Sequence, residues 1–111
     1  MLMSSKDAFD MLSKFKLERP PLVAIVELAP KEKHAFEASV GRFSESELVL
    51  SGEHAVVSVP LEPSGEWTYS DAREAPPEMR AFLSAAMECS LSMRSKSVRL
   101  VLFLMKFDAL P

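Results

Sequence analysis

Apolar and polar side chains alternate through the middle of the chain, from Phe36 to Leu61. Side chains two residues apart on a strand point to the same face, so this alternation predicts strands with one buried face. Two interruptions, Ser44-Glu45-Ser46 and Ser51-Gly52-Glu53, are short and polar, which is typical of tight turns between antiparallel neighbours. The pattern therefore predicts a three-stranded antiparallel meander at about residues 35–43, 47–51 and 54–61.

Further strands are predicted on both sides of the meander. Leu22 to Leu28 and the run from Leu100 onward are apolar on both faces, which is typical of strands buried on two sides. Gly41 interrupts the second strand and predicts a bulge or sharp bend of the sheet. The flanking strands are predicted at about residues 22–29, 66–70, 89–94 and 98–107.

Helical spacing appears in two other stretches. Aromatic and aliphatic residues recur every three positions at about residues 5–17, preceded by serines that suit an N-cap and followed by Pro20-Pro21. A second helix is predicted at about residues 77–88, because proline suits a first helical turn. Residues 89–94 fit a continued helix or a strand, and we prefer the strand because serines alternate with apolar residues there.

These elements predict a single α+β domain spanning residues 1–111. It has an N-terminal helix, a strongly bent antiparallel sheet or partial small barrel of about six strands, and a second helix before a C-terminal β-hairpin. A chain of 111 residues with 48% hydrophobic and 26% charged residues suits one globular core.

Charge and cysteine content narrow the classes of partner and compartment. The net charge of −3 has the wrong sign for holding a phosphate backbone, which disfavours nucleic acid. The single cysteine, Cys89, cannot form an internal disulfide, and this favours a reducing compartment. The start of the chain becomes polar and charged before any apolar run of signal-peptide length begins. The two most apolar runs, Leu22 to Leu28 and Leu100 to Met105, are too short to span a bilayer. We therefore predict a cytoplasmic protein without a membrane partner.

The sequence contains no catalytic or cofactor signature. Three glycines in the whole chain exclude a GxGxxG or P-loop cradle. His34, His54 and Cys89 form no metal-ligand pattern, and no nucleophile elbow is present. We predict no catalytic, metal or cofactor residues. A small hydrolase is an alternative that requires a pocket holding a histidine with a carboxylate or Cys89.

Two groups of residues are candidates for ligand contact. Lys31, Lys33 and His34 form the densest cationic spot, which Arg42 could join across the hairpin. Trp67 and Tyr69 share a strand face and could stack a base or a sugar ring, although such pairs also close the ends of cores. These residues give the hypothesis of a small-anion or RNA-binding domain.

The most apolar strand gives the first functional hypothesis. Such a strand lies in the middle of a sheet or at an edge that another subunit covers, because an exposed apolar edge invites aggregation. Homodimerisation through this strand would use Val98, Leu100, Leu102 and Leu104. We therefore predict a non-catalytic interaction module that self-associates or binds a protein partner.

One part of the meander faintly resembles a known family. Phe36-Glu37-Ala38-Ser39-Val40 to Leu48-Val49-Leu50 looks like the first motif of Sm-like proteins, which implies an RNA-binding barrel. The resemblance covers about a quarter of the chain. Ala38 and Ser44 replace the glycine and the aspartate of that motif, and no RNA-binding asparagine lies near Glu47, so membership is not assigned.

Overall fold

The computed structural model describes residues 1–71 and 87–105, which form an antiparallel sheet with one helix. The helix is α1 (Ser5–Glu18). The strands are β1 (Leu2–Met3), β2 (Leu22–Leu28), β3 (Glu32–Phe43), β4 (Glu47–Ser51), β5 (Val56–Pro60), β6 (Glu66–Asp71), β7 (Met87–Arg94) and β8 (Val98–Met105). Their order in the sheet is β1-β6-β7-β8-β2-β3-β4-β5, and the sheet is open between β1 and β5.

Capping interactions define both ends of α1. The Ser4 side chain accepts a hydrogen bond from the Asp7 N–H at 3.1 Å, which satisfies one of the free donors of the first turn. Arg19 adopts a left-handed conformation with φ of 50°, and its N–H donates to the Phe15 carbonyl at 3.0 Å. Pro20-Pro21 then leads the chain into β2. The predicted first helix is therefore confirmed.

The core lies on one side of the sheet, which we call the inner face. Buried side chains alternate along β2, β7 and β8, and the paired strands bring them into rows. Leu102 lies opposite Ala24 on one side and Leu91 on the other. Three side chains of α1 complete this core, namely Ala8, Leu12 and Phe15.

The sheet curves around α1. The Phe9 ring lies 5.9 Å from the Phe43 ring and 6.1 Å from the Trp67 ring, measured between centroids. The rings of Phe43 and Trp67 are therefore at most about 12 Å apart, although β3 and β6 are separated by three strands. In a flat sheet that separation would be about 19 Å. The curvature lets one short helix contact both halves of the sheet.

A bulge in β3 joins those two halves. The first part of β3, from Glu32 to Ala38, pairs with β2. From Ser39 onward, the opposite edge of β3 pairs with β4. The register shifts between Val40 and Phe43, on either side of Gly41. A Cβ on Gly41 would lie 3.1 Å from the Val49 carbonyl oxygen, so the close approach favours glycine. The predicted bulge is confirmed.

Several boundaries differ from the prediction. The described residues form eight strands rather than about six, including the two-residue β1. β3 begins at Glu32 instead of residue 35, because its pairing with β2 continues to Leu28. Ala55 lies before β5, and residues 87–88 belong to β7 rather than to a helix. Residues 89–94 are confirmed as strand. The remainder of the predicted second helix and the end of the last strand, residues 106–107, lie outside the described residues.

Candidate functional site

The face of the sheet opposite the core, here the outer face, carries an apolar patch at its centre. Val23 lies directly opposite Phe103, and Ile25 lies directly opposite Val101. These four half-buried residues, on adjacent strands β2 and β8, form what we call the outer patch. The one helix of residues 1–71 and 87–105 packs on the inner face, so it does not cover them. The alternation that buries one side of β2 and β8 thus presents apolar groups on the other.

A row of charges borders the outer patch. Cα pairing places Glu66, Arg94, Arg99, Glu27 and Lys33 side by side across five strands, and we call this the charged row. Lys33 Nζ lies 3.5 Å from Glu27 Oε1, and Arg99 Nη1 lies 4.0 Å from Glu27 Oε2. Glu27 therefore forms ion pairs with both Lys33 and Arg99. Arg94 and Arg99 lie directly opposite each other on β7 and β8. Like charges in this arrangement destabilise the sheet when no partner is bound between them.

The charged row continues into a cleft between two hairpin turns. The β2–β3 turn and the β7–β8 turn are joined by a hydrogen bond from the Ala29 N–H to the Ser97 carbonyl at 2.9 Å. The hydroxyls of Ser95 and Ser97 donate to Glu62 Oε1, which holds the second turn in place. The cleft has a volume of about 450 Å³. We call it the turn cleft.

The turn cleft has a charge opposite to that of the whole protein. It is lined by five cations, Lys31, Lys33, Arg94, Lys96 and Arg99, and by two carboxylates, Glu27 and Glu32. These residues sum to +3, and the Glu62 carboxylate bonded to the cleft-lining Ser95 and Ser97 lowers the local charge to +2, whereas the chain as a whole carries −3. Such a local field attracts anionic groups from solution.

The structure assembles only part of the predicted anion site. Lys31 and Lys33 line the turn cleft, and His34 follows them, its Nε2 lying 2.7 Å from Glu32 Oε2. Arg42 does not join them across the hairpin, because it lies nine residues beyond Lys33 on β3, a separation of up to about 30 Å along an extended strand. It therefore belongs to a different part of the surface.

The predicted aromatic pair lies on the inner face. Trp67 is 5% exposed, and its ring meets the Phe9 ring edge-on, so it forms part of the core. Tyr69 shares that face and is half-buried. Neither residue lines the turn cleft.

The predicted self-association strand is the centre of the sheet. β8 is paired along both edges, with β7 and with β2, so no backbone edge is free for a second subunit. Val98, Leu100 and Leu102 are 2%, 1% and 0% exposed, and Leu104 is half-buried beside them. These side chains form the protein's own core. The apolar residues of β8 that face outward are Val101 and Phe103, which follow the outward-facing Arg99.

Sequence reasoning missed half of the turn cleft. Arg94, Lys96 and Arg99 come from the β7–β8 hairpin, which the sheet order places beside the β2–β3 hairpin. The sequence does contain a local indication of this half of the cleft, because Arg94 and Arg99 flank the polar β7–β8 turn and Lys96 lies within it. The missing step was the pairing of β8 with β2, which no local pattern reveals.

Among the described residues, Cys89 and His34 lie apart, whereas His54 and Glu53 both line an open cleft of about 790 Å³ beside the β4–β5 turn. Cys89 is buried on β7, and His34 lies three strands away on β3, far beyond hydrogen-bond reach. His54 is exposed on the β4–β5 turn, with its Nε2 3.8 Å from Glu53 Oε1. Within residues 1–71 and 87–105, no three His, Cys, Asp or Glu side chains group closely enough to hold a metal ion.

Over the same ranges, no helix has the length and apolar character needed to cross a bilayer. No family model matches the sequence, and neither the curated proteins nor the solved structures contain a match.

Proposed function

We propose that the protein is a non-catalytic interaction module that binds a partner protein through the outer face of its sheet. The single observation that carries this proposal is the outer patch, bordered by the charged row on the face that α1 leaves uncovered. An apolar surface patch bordered by polar and charged residues is typical of protein–protein contact sites.

The charged row specifies the chemistry of the partner. Arg94 makes no ion pair within the described ranges of the chain, and Arg99 shares Glu27 with Lys33. A carboxylate placed between Arg94 and Arg99 would relieve their repulsion and accept hydrogen bonds from both guanidinium groups. The partner is therefore a protein segment in which apolar side chains lie next to aspartate or glutamate.

A displayed library of short peptides tests this proposal. Peptides selected on the immobilised wild-type protein should combine aromatic or aliphatic residues with acidic ones. Binding of the synthetic winners, measured by calorimetry, should weaken about tenfold or more in Phe103→Ser and in Arg99→Glu. Leu17→Ser and Arg42→Glu are matched controls at exposed positions elsewhere, and they should bind like the wild type.

Three results would overturn the proposal. One is a failure to enrich any peptide whose binding depends on Phe103. Another is conversion of a wild-type dimer to a monomer by Phe103→Ser, which would make a second copy the occupant of the face. The third is a loss of about 3 kcal/mol or more of unfolding free energy in Phe103→Ser. A loss of that size would mean that the protein's own chain buries the patch.

A second candidate function is the binding of a small anion or RNA at the turn cleft, and its net positive local charge favours it. A single-stranded RNA should then shift in a gel at low salt, with the shift weakening as salt rises. Charge reversal at Lys31 and Lys96 together should abolish the shift. Reversal at Lys14 and Lys16, which are exposed on α1, provides the control of equal charge. A missing shift at low salt would exclude RNA at this site.

A further inference from the structure

Among the described strands, two stretches of sheet edge are protected against the addition of another strand. β1 covers the edge of β6, where the N-terminal ammonium donates to the Tyr69 carbonyl at 2.9 Å. β3 extends beyond the end of β4, and that stretch carries Glu32, Lys33 and Glu37. Charged side chains on an edge discourage strand addition. Two further edges are uncovered by described strands, that of the two-residue β1 and that of the five-residue β5.

β5 has neither of these protections. Its sequence, Val56-Val57-Ser58-Val59-Pro60, contains no charge, and no described strand pairs with its second edge. Val56 is 69% exposed, and the other aliphatic residue of comparable exposure in the described strands is Leu2 of β1, at 70%. An uncharged, uncovered edge with an exposed aliphatic side chain is a template for another strand.

The hydrogen-bond pattern shows which groups of β5 are available. The Leu61 N–H donates to the Ser46 carbonyl at 2.9 Å, and the Gly52 N–H donates to the Ala55 carbonyl at 2.7 Å. Hydrogen-bonded pairs recur every second residue in an antiparallel ladder, so Val57 and Val59 bond to β4. The backbone groups of Val56 and Ser58 point to the open edge. Pro60 also faces that edge, where its missing N–H costs no ladder bond.

We propose that β5 pairs with β5 of a second copy, in antiparallel orientation about a two-fold axis through Val57. In this register the Val56 N–H donates to the partner's Ser58 carbonyl, and the Ser58 N–H donates to the partner's Val56 carbonyl. The symmetry repeats both bonds, which satisfies every open donor and acceptor of these two residues. A register centred on Ser58 would place Val56 opposite Pro60, which has no N–H to donate, and is disfavoured.

A second copy fits this edge better than an extended filament does. The pairing is isologous, since the same residues are used on both sides, and it closes after two subunits. The other end of each sheet is the two-residue β1, which is too short to offer an equivalent edge for growth. The contact does not involve the outer patch and is independent of partner binding there.

Sedimentation of the whole chain and two variants at Ser58 tests the dimer. Ser58→Pro removes a donor that faces away from β4, and the fold should tolerate it, as judged by circular dichroism. One donor is lost in each copy, so dimerisation should weaken about tenfold or more. Ser58→Ala keeps the backbone donor and should dimerise like the wild type. If Ser58→Pro does not fold, Val56→Lys places a charge at the joint and should weaken the dimer as well.

Two outcomes would overturn the inference. A wild-type protein that stays monomeric at high micromolar concentration has no such dimer. A dimer that survives Ser58→Pro, or Val56→Lys where the proline variant is unfolded, uses another surface. Phe103→Ser separates this inference from the proposed function, because it should impair peptide binding and leave the β5 dimer intact.

Discussion

Truncation of two neighbouring residues on β8 tests which side of the sheet holds the core. Leu102 is fully buried between Ala24 and Leu91, whereas Val101 is half-buried on the outer face beside Ile25. Leu102→Ala removes buried methyl groups and leaves a cavity, and such changes cost about 3–5 kcal/mol. Val101→Ala removes groups that are already partly solvated, so we expect a cost of about 0.5 kcal/mol.

Urea unfolding followed by Trp67 fluorescence measures both variants, because the only tryptophan is buried against Phe9 and becomes exposed on unfolding. With an m-value of about 2 kcal/mol/M, Leu102→Ala should lower the midpoint by about 1.5 M or more. Val101→Ala should lower it by about 0.3 M. Equal losses, or a larger loss for Val101→Ala, would refute the assignment of the two faces.

Other substitutions test local features of the fold. Arg19→Gly should raise the unfolding free energy by about 0.5–1 kcal/mol, because glycine adopts the left-handed conformation without steric cost; a decrease in thermal melts would contradict this. Glu27→Gln should cost up to about 1 kcal/mol, since its ion pairs are partly exposed. Most of that loss should disappear in about 1 M salt, and a salt-independent loss would exclude an electrostatic cause. Gly52→Ala should cost about 1–3 kcal/mol in urea titrations, because its Cβ would lie 2.7 Å from the Phe36 ring; wild-type stability would show that the ring moves aside.

Local patterns predicted most of the elements correctly. The first helix, the β4 strand, the bulge near Gly41 and the strand at residues 89–94 depend on capping, alternation and glycine placement, which are properties of short segments. β1 was missed because two residues carry no periodic pattern. Its pairing with β6 depends on the main chain, including the N-terminal ammonium.

Long-range pairing explains the site residues that sequence reasoning misplaced. The apolar strand β8 was compatible with a sheet centre or a subunit contact, and only its pairing with both β2 and β7 decides between them. The same pairing brings Arg94 and Arg99 beside Glu27 and Lys33. Arg42 failed to join the cationic cluster because β3 is a single long strand that carries it away from the turn.

Methyl NMR of the wild-type protein, titrated with a peptide selected on it, tests the central claim most directly. The two faces of β2 and β8 carry methyl groups on alternate residues, so each face has its own signals. We expect the peptide to shift the outer-face methyl signals and leave the inner-face signals unchanged. The outer-face reporters are Val23, Ile25 and Val101, and the inner-face reporters are Ala24, Val26 and Leu102. Shifts confined to the inner face, or absent from Val23, Ile25 and Val101, would contradict binding at the outer face.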